Sequence, residues 1–207
     1  MRVAASQLSP IILAVAMLLF GLAPAVLGEE LSDAERTRRE VLQEWSRVSK
    51  GQTNFEVSDP ELVPKFLAHF ARQSGCVYEP DIERHPIRFM RIEGRRLSII
   101  FCRPGISGSD QVFDLTELQK PRVVLFPVAA YPDGFGTTDR PGSIEYQQDT
   151  GIFRAEIGSD TSQSLGRYSY RYQGYDGFVV TRVEVKKDLA SEWTTIWSAV
   201  PWNTPSR

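Results

Sequence analysis

The grammar of the chain changes at Gly75, and that change constrains the fold more than any other feature. Before it, apolar residues recur at helical spacing; after it, they come in short runs separated by glycine-containing turns. Ile87–Ile92 and Leu97–Arg103 flank Glu93-Gly94-Arg95-Arg96. Ser143–Gln148 and Ile152–Ile157 flank Asp149-Thr150-Gly151, and Arg167–Gln173 and Phe178–Lys186 flank Gly174-Tyr175-Asp176-Gly177. Two such runs joined by a short glycine turn read as a β-hairpin. Arg122–Tyr131 and Glu192–Val200 add two more runs, and Pro132 to Gly142 reads as the longest turn-rich loop. Seven or more short strands joined by turns predict an antiparallel sandwich, barrel or open sheet. The expected class is α+β, with two N-terminal helices followed by a predominantly antiparallel β domain.

The spacing predicts the first helix over Leu31–Lys50. Ser32 and Glu35 have capping-box spacing, and Leu31, Ala34, Val41, Leu42, Trp45 and Val48 make a partial apolar stripe. Such a helix docks on the protein surface through Trp45, or offers the same face to a partner. Gly51 to Val57 reads as a connector. A second helix is expected from Asp59 or Val63 to Ser74, with Asp59-Pro60 as a cap and first-turn proline, Leu62, Phe66, Leu67 and Phe70 as its apolar face, and Gly75 as terminator.

Residues 1–28 carry a basic Arg2, an apolar run around Ile11 to Phe20 and small residues before Glu29-Glu30, the layout of a secretory signal peptide. Cleavage after Gly28 or after Ala25 fits. A retained anchor is the competing reading, although Gly21 and Pro24 interrupt a run already short for a bilayer. The expected organisation is a signal over 1–28, a helical region over 29–75, a β domain over 76–200 and a loose tail over 201–207. Without its first 28 residues the 207-residue chain keeps 179, and losing Arg2 leaves 23 basic residues against 26 acidic, a net charge of −3. That balance argues against a nucleic-acid binder. An exported chain with only Cys76 and Cys102 is expected to join them in a structural disulfide, and no stable membrane span is expected after signal cleavage.

The residue types that carry chemistry are sparse. His69, Cys76, His85 and Cys102 are all the histidines and cysteines, and their spacing fits no usual zinc-ligand pair. Gly105-Ile106-Ser107-Gly108 only partly matches a nucleophile elbow. No P-loop or dinucleotide-binding glycine pattern is present. Asp133-Gly134-Phe135-Gly136-Thr137-Thr138-Asp139 reads as turn chemistry rather than a calcium loop. No catalytic residue and no cofactor is therefore assigned.

Arg167-Tyr168-Ser169-Tyr170-Arg171-Tyr172 is the most distinctive candidate surface. In a strand, Tyr168, Tyr170 and Tyr172 share one face and Arg167, Ser169 and Arg171 the other. The tyrosines, with Arg171, form either a stacking platform for a sugar or peptide or part of the core with hydroxyls at its rim. Arg84, Arg88, Arg91, Arg95, Arg96 and Arg103 make a locally basic hairpin, read as a solvated face or as a contact for an anionic surface.

The order from Cys76 to Trp202 resembles a family of exported proteobacterial proteins of unassigned function. The likeness rests on Cys76 with Arg96-Leu97-Ser98-Ile99-Ile100-Phe101-Cys102, on Tyr146-Gln147-Gln148-Asp149-Thr150-Gly151-Ile152-Phe153, on Tyr170-Arg171-Tyr172-Gln173-Gly174-Tyr175-Asp176-Gly177-Phe178 and on Trp193-Thr194-Thr195-Ile196-Trp197-Ser198-Ala199. The family's further cysteines have no counterpart; Ser164-Leu165-Gly166 and Leu189-Ala190 stand near their places. The resemblance implies export and brings no activity. The expected function is a non-enzymatic periplasmic or secreted module that binds an envelope glycan or another exported protein. The alternatives are a hydrolase of envelope material using His85 or His69 as base, and an inhibitor of an exported enzyme.

Overall fold

The computed structural model describes residues 32–103, 108–130, 134–158, 165–174 and 177–199. The signal segment, the C-terminal tail, most of Gly105-Ile106-Ser107-Gly108 and Asp133 lie outside them. The chain divides between Arg36 and Thr37 into two units. In the first, Ser32 caps the start of helix α1 (Asp33–Ser49) as its spacing predicts: its Oγ accepts the Glu35 N–H at 3.3 Å, and Glu35 reaches back to the Ser32 N–H at 3.0 Å.

The second unit is mostly antiparallel sheet. Its first sheet runs β1 (Phe55–Val57), β2 (Ile87–Ile92), β3 (Arg95–Cys102), β4 (Ser109–Asp114) and β5 (Arg122–Val123), in that spatial order. A two-stranded sheet pairs β6 (Phe126–Ala130) with β7 (Gly134–Thr138). The last sheet is ordered β12 (Thr194–Ser198), β11 (Gly177–Lys186), β10 (Leu165–Gln173), β9 (Ile152–Gly158), β8 (Ser143–Gln147). Every strand pair among the described residues is antiparallel.

The first sheet is covered on both faces. Ile87, Phe89, Ile100, Cys102 and Phe113 pack with Val41 of α1 and with Leu67 and Ala71 of helix α2 (Lys65–Gln73). The alternate residues Met90, Leu97, Ile99 and Val112 pack against Ile144, Phe153, Tyr168, Tyr170 and Val183 of the last sheet. Helices, first sheet and last sheet thus form three layers around two cores. A strand buried on both sides loses its polar–apolar alternation, which is why Leu97-Ser98-Ile99-Ile100 is buried without a break.

The predicted helices and hairpins are present with small shifts. The first hairpin has a two-residue loop, Glu93-Gly94, because Arg95 and Arg96 already belong to β3. Both loop residues have positive φ, 47° and 81°, the conformation that matches strand twist in a tight hairpin. Four expectations need correction. The expected connector Gly51–Val57 ends in β1, whose Phe55 stacks on Phe89 at 4.6 Å. The expected loop Pro132–Gly142 contains β7. The single run Arg122–Tyr131 is divided between β5 and β6, which serve different sheets. Leu62 lies in a 3₁₀ turn (Pro60–Leu62) and is half exposed, so α2 starts later; Leu67 is buried as expected, Phe66 and Phe70 pack partly buried against the core, and Ala68 and Ala71 join them.

Candidate functional site at the seam between the sheets

The last sheet ends at β8, and an edge strand leaves alternate backbone N–H and C=O groups without a ladder partner. At Ile144 side chains from the first sheet supply that partner. The Ile144 N–H donates to Asp110 Oδ2 at 2.7 Å, and Arg88 Nη2 donates to the Ile144 carbonyl at 2.8 Å. Arg88 and Asp110 close the arrangement as an ion pair at 3.1 Å. The next turn is tied in as well: the Asp110 N–H donates to Gly142 O at 2.8 Å, and the Gly142 N–H to Ser109 Oγ at 3.1 Å. Gly142 has φ 94°, and a Cβ there would fall 1.9 Å from the Glu156 carbonyl oxygen, so only glycine lets the chain pass.

Two clefts flank this clamp and share Arg88. The larger, about 420 Å³, lies between β1 and β8. Met90 and the half-buried Tyr146 ring, packed at 4.6 Å on Phe153, give it apolar surface. Asn54, Glu56, Glu145 and Gln148 give it a polar rim. Neither glutamate is in an ion pair among the described residues, while the charge of Arg88 is met by Asp110. The cleft is therefore acidic at its mouth and apolar beneath, the mixture common to sites for small organic groups. The second cleft, about 270 Å³, is lined by Arg84, His85, Arg88, Phe101, Asp110 and Ser143. His85 stacks on Phe101 at 4.1 Å.

Asp110 is nearly buried, and desolvation pushes its pKa up despite the opposing Ile144 N–H, Arg88 and His85. The folded protein thus holds this proton more tightly than the unfolded chain does. The charged carboxylate costs stability once the pH climbs past the unfolded value of about 3.9 and on through the raised folded value. Asp110→Asn keeps an acceptor for Ile144 but has no such titration. Wild type should therefore lose stability relative to Asp110→Asn as the pH rises from 3 to 5.5, read from paired urea melts. A flat or opposite slope would contradict the assigned environment.

The sequence-expected candidates fall elsewhere. Tyr168, Tyr170 and Tyr172 do share one face of β10, and that face is the inner one. All three are buried; Tyr168 and Tyr170 stack at 6.0 Å, and Tyr172 meets Phe178 edge-on at 5.1 Å. A stacking platform needs an open ring face, and these rings are closed, so they are core rather than platform. Arg171 is exposed on the opposite face of the sheet. Cys76 and Cys102 are joined in a disulfide, which removes both sulfurs from any metal. His69 is exposed on α2. Four of the six arginines of the basic hairpin are drawn to separate partners: Arg88 to Asp110, Arg95 to Asp114 at 2.9 Å, Arg103 to Asp81 at 2.9 Å, and Arg96 over the Trp45 ring, while Arg84 and Arg91 are exposed. Asp139 accepts from Gln111 Nε2 at 2.7 Å.

The residues lining the larger cleft come from three distant segments, around 54–56, 88–90 and 145–148. No local pattern marks them, because their proximity arises only when β1 and β8 end their respective sheets. Comparisons with protein-family models, with curated proteins and with solved structures gave no match.

Proposed function

We propose that this protein is an exported, non-enzymatic binding module for a cell-envelope component, with the cleft between β1 and β8 as its ligand site. The observation that carries the reading is the combination, in one cleft, of Tyr146 and Met90 with Glu56 and Glu145, neither of them in an ion pair among the described residues. The signal-like first 28 residues and the disulfide support export. A photo-crosslinking residue at Gln148 in the expressed full chain tests it. An adduct should form there in cells, fail to form at Leu42 on α1, and disappear when Met90→Trp fills the cleft. Absence of any cleft-dependent adduct rejects the reading.

A second reading, a hydrolase of envelope material, draws on the shared cleft of His85, Asp110 and Ser143. Against it, Asp110 Oδ2 is already held by Arg88 and Ile144, and no hydrogen bond joins His85 to Ser143 or Asp110 among the described residues. Envelope hydrolysis that disappears with His85→Ala would favour this reading over binding alone.

A further inference from the structure

The alternation that exposes Ile144 also fixes what faces the larger cleft. In an antiparallel strand, residues two apart turn their N–H and C=O toward the same neighbour. Ile144 turns both groups away from β9, toward Asp110 and Arg88. Tyr146 therefore turns its N–H and C=O the same way, past the clamp and into the cleft. Gln147, the next residue, turns back toward β9, and its carbonyl accepts the Gly151 N–H at 2.8 Å inside the hairpin.

The opposite wall repeats the arrangement. The Arg91 N–H reaches toward β1, donating to Asn54 Oδ1 at 3.0 Å. By the same alternation Phe89 and Ile87 bond to Phe55 and Val57, their register partners. Glu56 is left with its N–H and C=O turned outward. Two sheet edges thus border one cleft, and each has a residue whose backbone donor and acceptor are turned away from its own sheet. The Asp110–Arg88 clamp blocks the edge at Ile144 and leaves it open at Tyr146.

We infer that the cleft takes an extended peptide segment as an added strand on β8, with apolar and basic residues alternating. This inference rests on the binding reading above and names the ligand class of the same site. Backbone complementarity asks for an extended chain. Period-two alternation then sends successive side chains to opposite faces of the added strand. Those on the inner face meet Met90 and the Tyr146 ring. Those on the outer face stand beside Glu145, which the register places on the solvent side of β8 across from Arg154. A lysine or arginine there forms a cross-strand pair with Glu145. Glu56, on the same face of β1 as Arg88 in its register, adds negative charge at the rim.

The test uses the full folded chain and a blocked pentapeptide, Lys-Val-Lys-Val-Lys. Binding should protect the Tyr146 N–H from hydrogen exchange and shift its resonance. Two N-methylated versions separate edge pairing from simple apolar or ionic attachment. Methylation of the residues facing β8, either the lysines or the valines, should abolish binding, and methylation of the alternate set should leave it intact. Glu145→Gln and Glu56→Gln should each weaken binding by about two- to fivefold at low salt, and the difference should vanish at high salt. Equal effects of the two methylation patterns, or no peptide binding at all, overturn the inference. An N-acetylglucosamine oligosaccharide that shifts Tyr146 where the peptide does not overturns it too, while leaving the cleft as the ligand site. Absence of any Gln148 crosslink in cells, with Met90 in place, is a separate result that removes the binding reading itself.

Discussion

Replacing Tyr170 by alanine should lower the unfolding free energy by about 3–5 kcal/mol, the range for emptying a buried aromatic site. Tyr170 has no solvent exposure, and its ring lies 5.1 Å from Phe126, 6.0 Å from Tyr168 and 6.3 Å from Phe178. Those rings join strands of the last sheet to β6, so the cavity would open in the middle of the second core. The hydroxyl behaves differently from the ring. It is buried with no hydrogen-bond partner among the described residues, and burial pushes its pKa up because a phenolate could not be solvated there. Tyr170→Phe should therefore be neutral or stabilising, since it removes an unsatisfied polar group and keeps the shape. The pair of variants separates packing from recognition. Urea melts should show a midpoint lowered by roughly 2 M for alanine and unchanged or raised for phenylalanine. A Tyr170→Ala protein as stable as wild type would return this residue to the candidate ligand surface.

The same residue shows how far a sequence reading reaches. Alternation placed Tyr168, Tyr170 and Tyr172 together, and they are together. Alternation does not say which face of a sheet is covered, because that depends on another sheet some 70 residues away in the chain, here Leu97 and Ile99. The hairpins were legible because each carries its own signal: two apolar runs and a glycine turn. Strand β4 was not, because Ser109-Asp110-Gln111-Val112-Phe113-Asp114 has no clean alternation. Its polar residues are buried for tertiary reasons. Asp110 secures β8 and Arg88, and the fully buried Gln111 donates to Asp139 and accepts from Ser74 Oγ at 3.3 Å. Only the folded chain provides those partners. Strand β7 was hidden in another way: Gly134-Phe135-Gly136-Thr137-Thr138 reads as a turn and is held as a strand by pairing with β6. The cleft was the least legible feature. Glu56 and Glu145 look like any surface acids until β1 and β8 are known to be the edges of two packed sheets.

Loss of the Cys76–Cys102 disulfide should cost about 3.5 kcal/mol, the chain-entropy value for a loop of this length. The two cysteines are 26 positions apart, with Cα atoms 4.8 Å from each other and both residues fully buried. The closed loop carries all of β2 and nearly all of β3, the centre of the first sheet. Its ends are positioned without help from the bond. The Cys76 N–H donates to Ala71 O at 2.9 Å at the exit of α2, and the Arg103 N–H donates to Val77 O at 2.8 Å beside the end of β3. Because the folded state already holds these ends together, the bond acts chiefly by restricting the unfolded chain. A Cys76→Ala/Cys102→Ala protein should keep its sheet spectrum and its cleft, and should unfold at lower urea without a large change in slope. In the folded wild-type protein neither sulfur should react with an alkylating reagent until a reductant and a denaturant are both present. Two thiols alkylated under native, oxidising conditions would contradict the bond. A double-alanine variant as stable as wild type would show instead that residual structure in the unfolded chain already closes the loop.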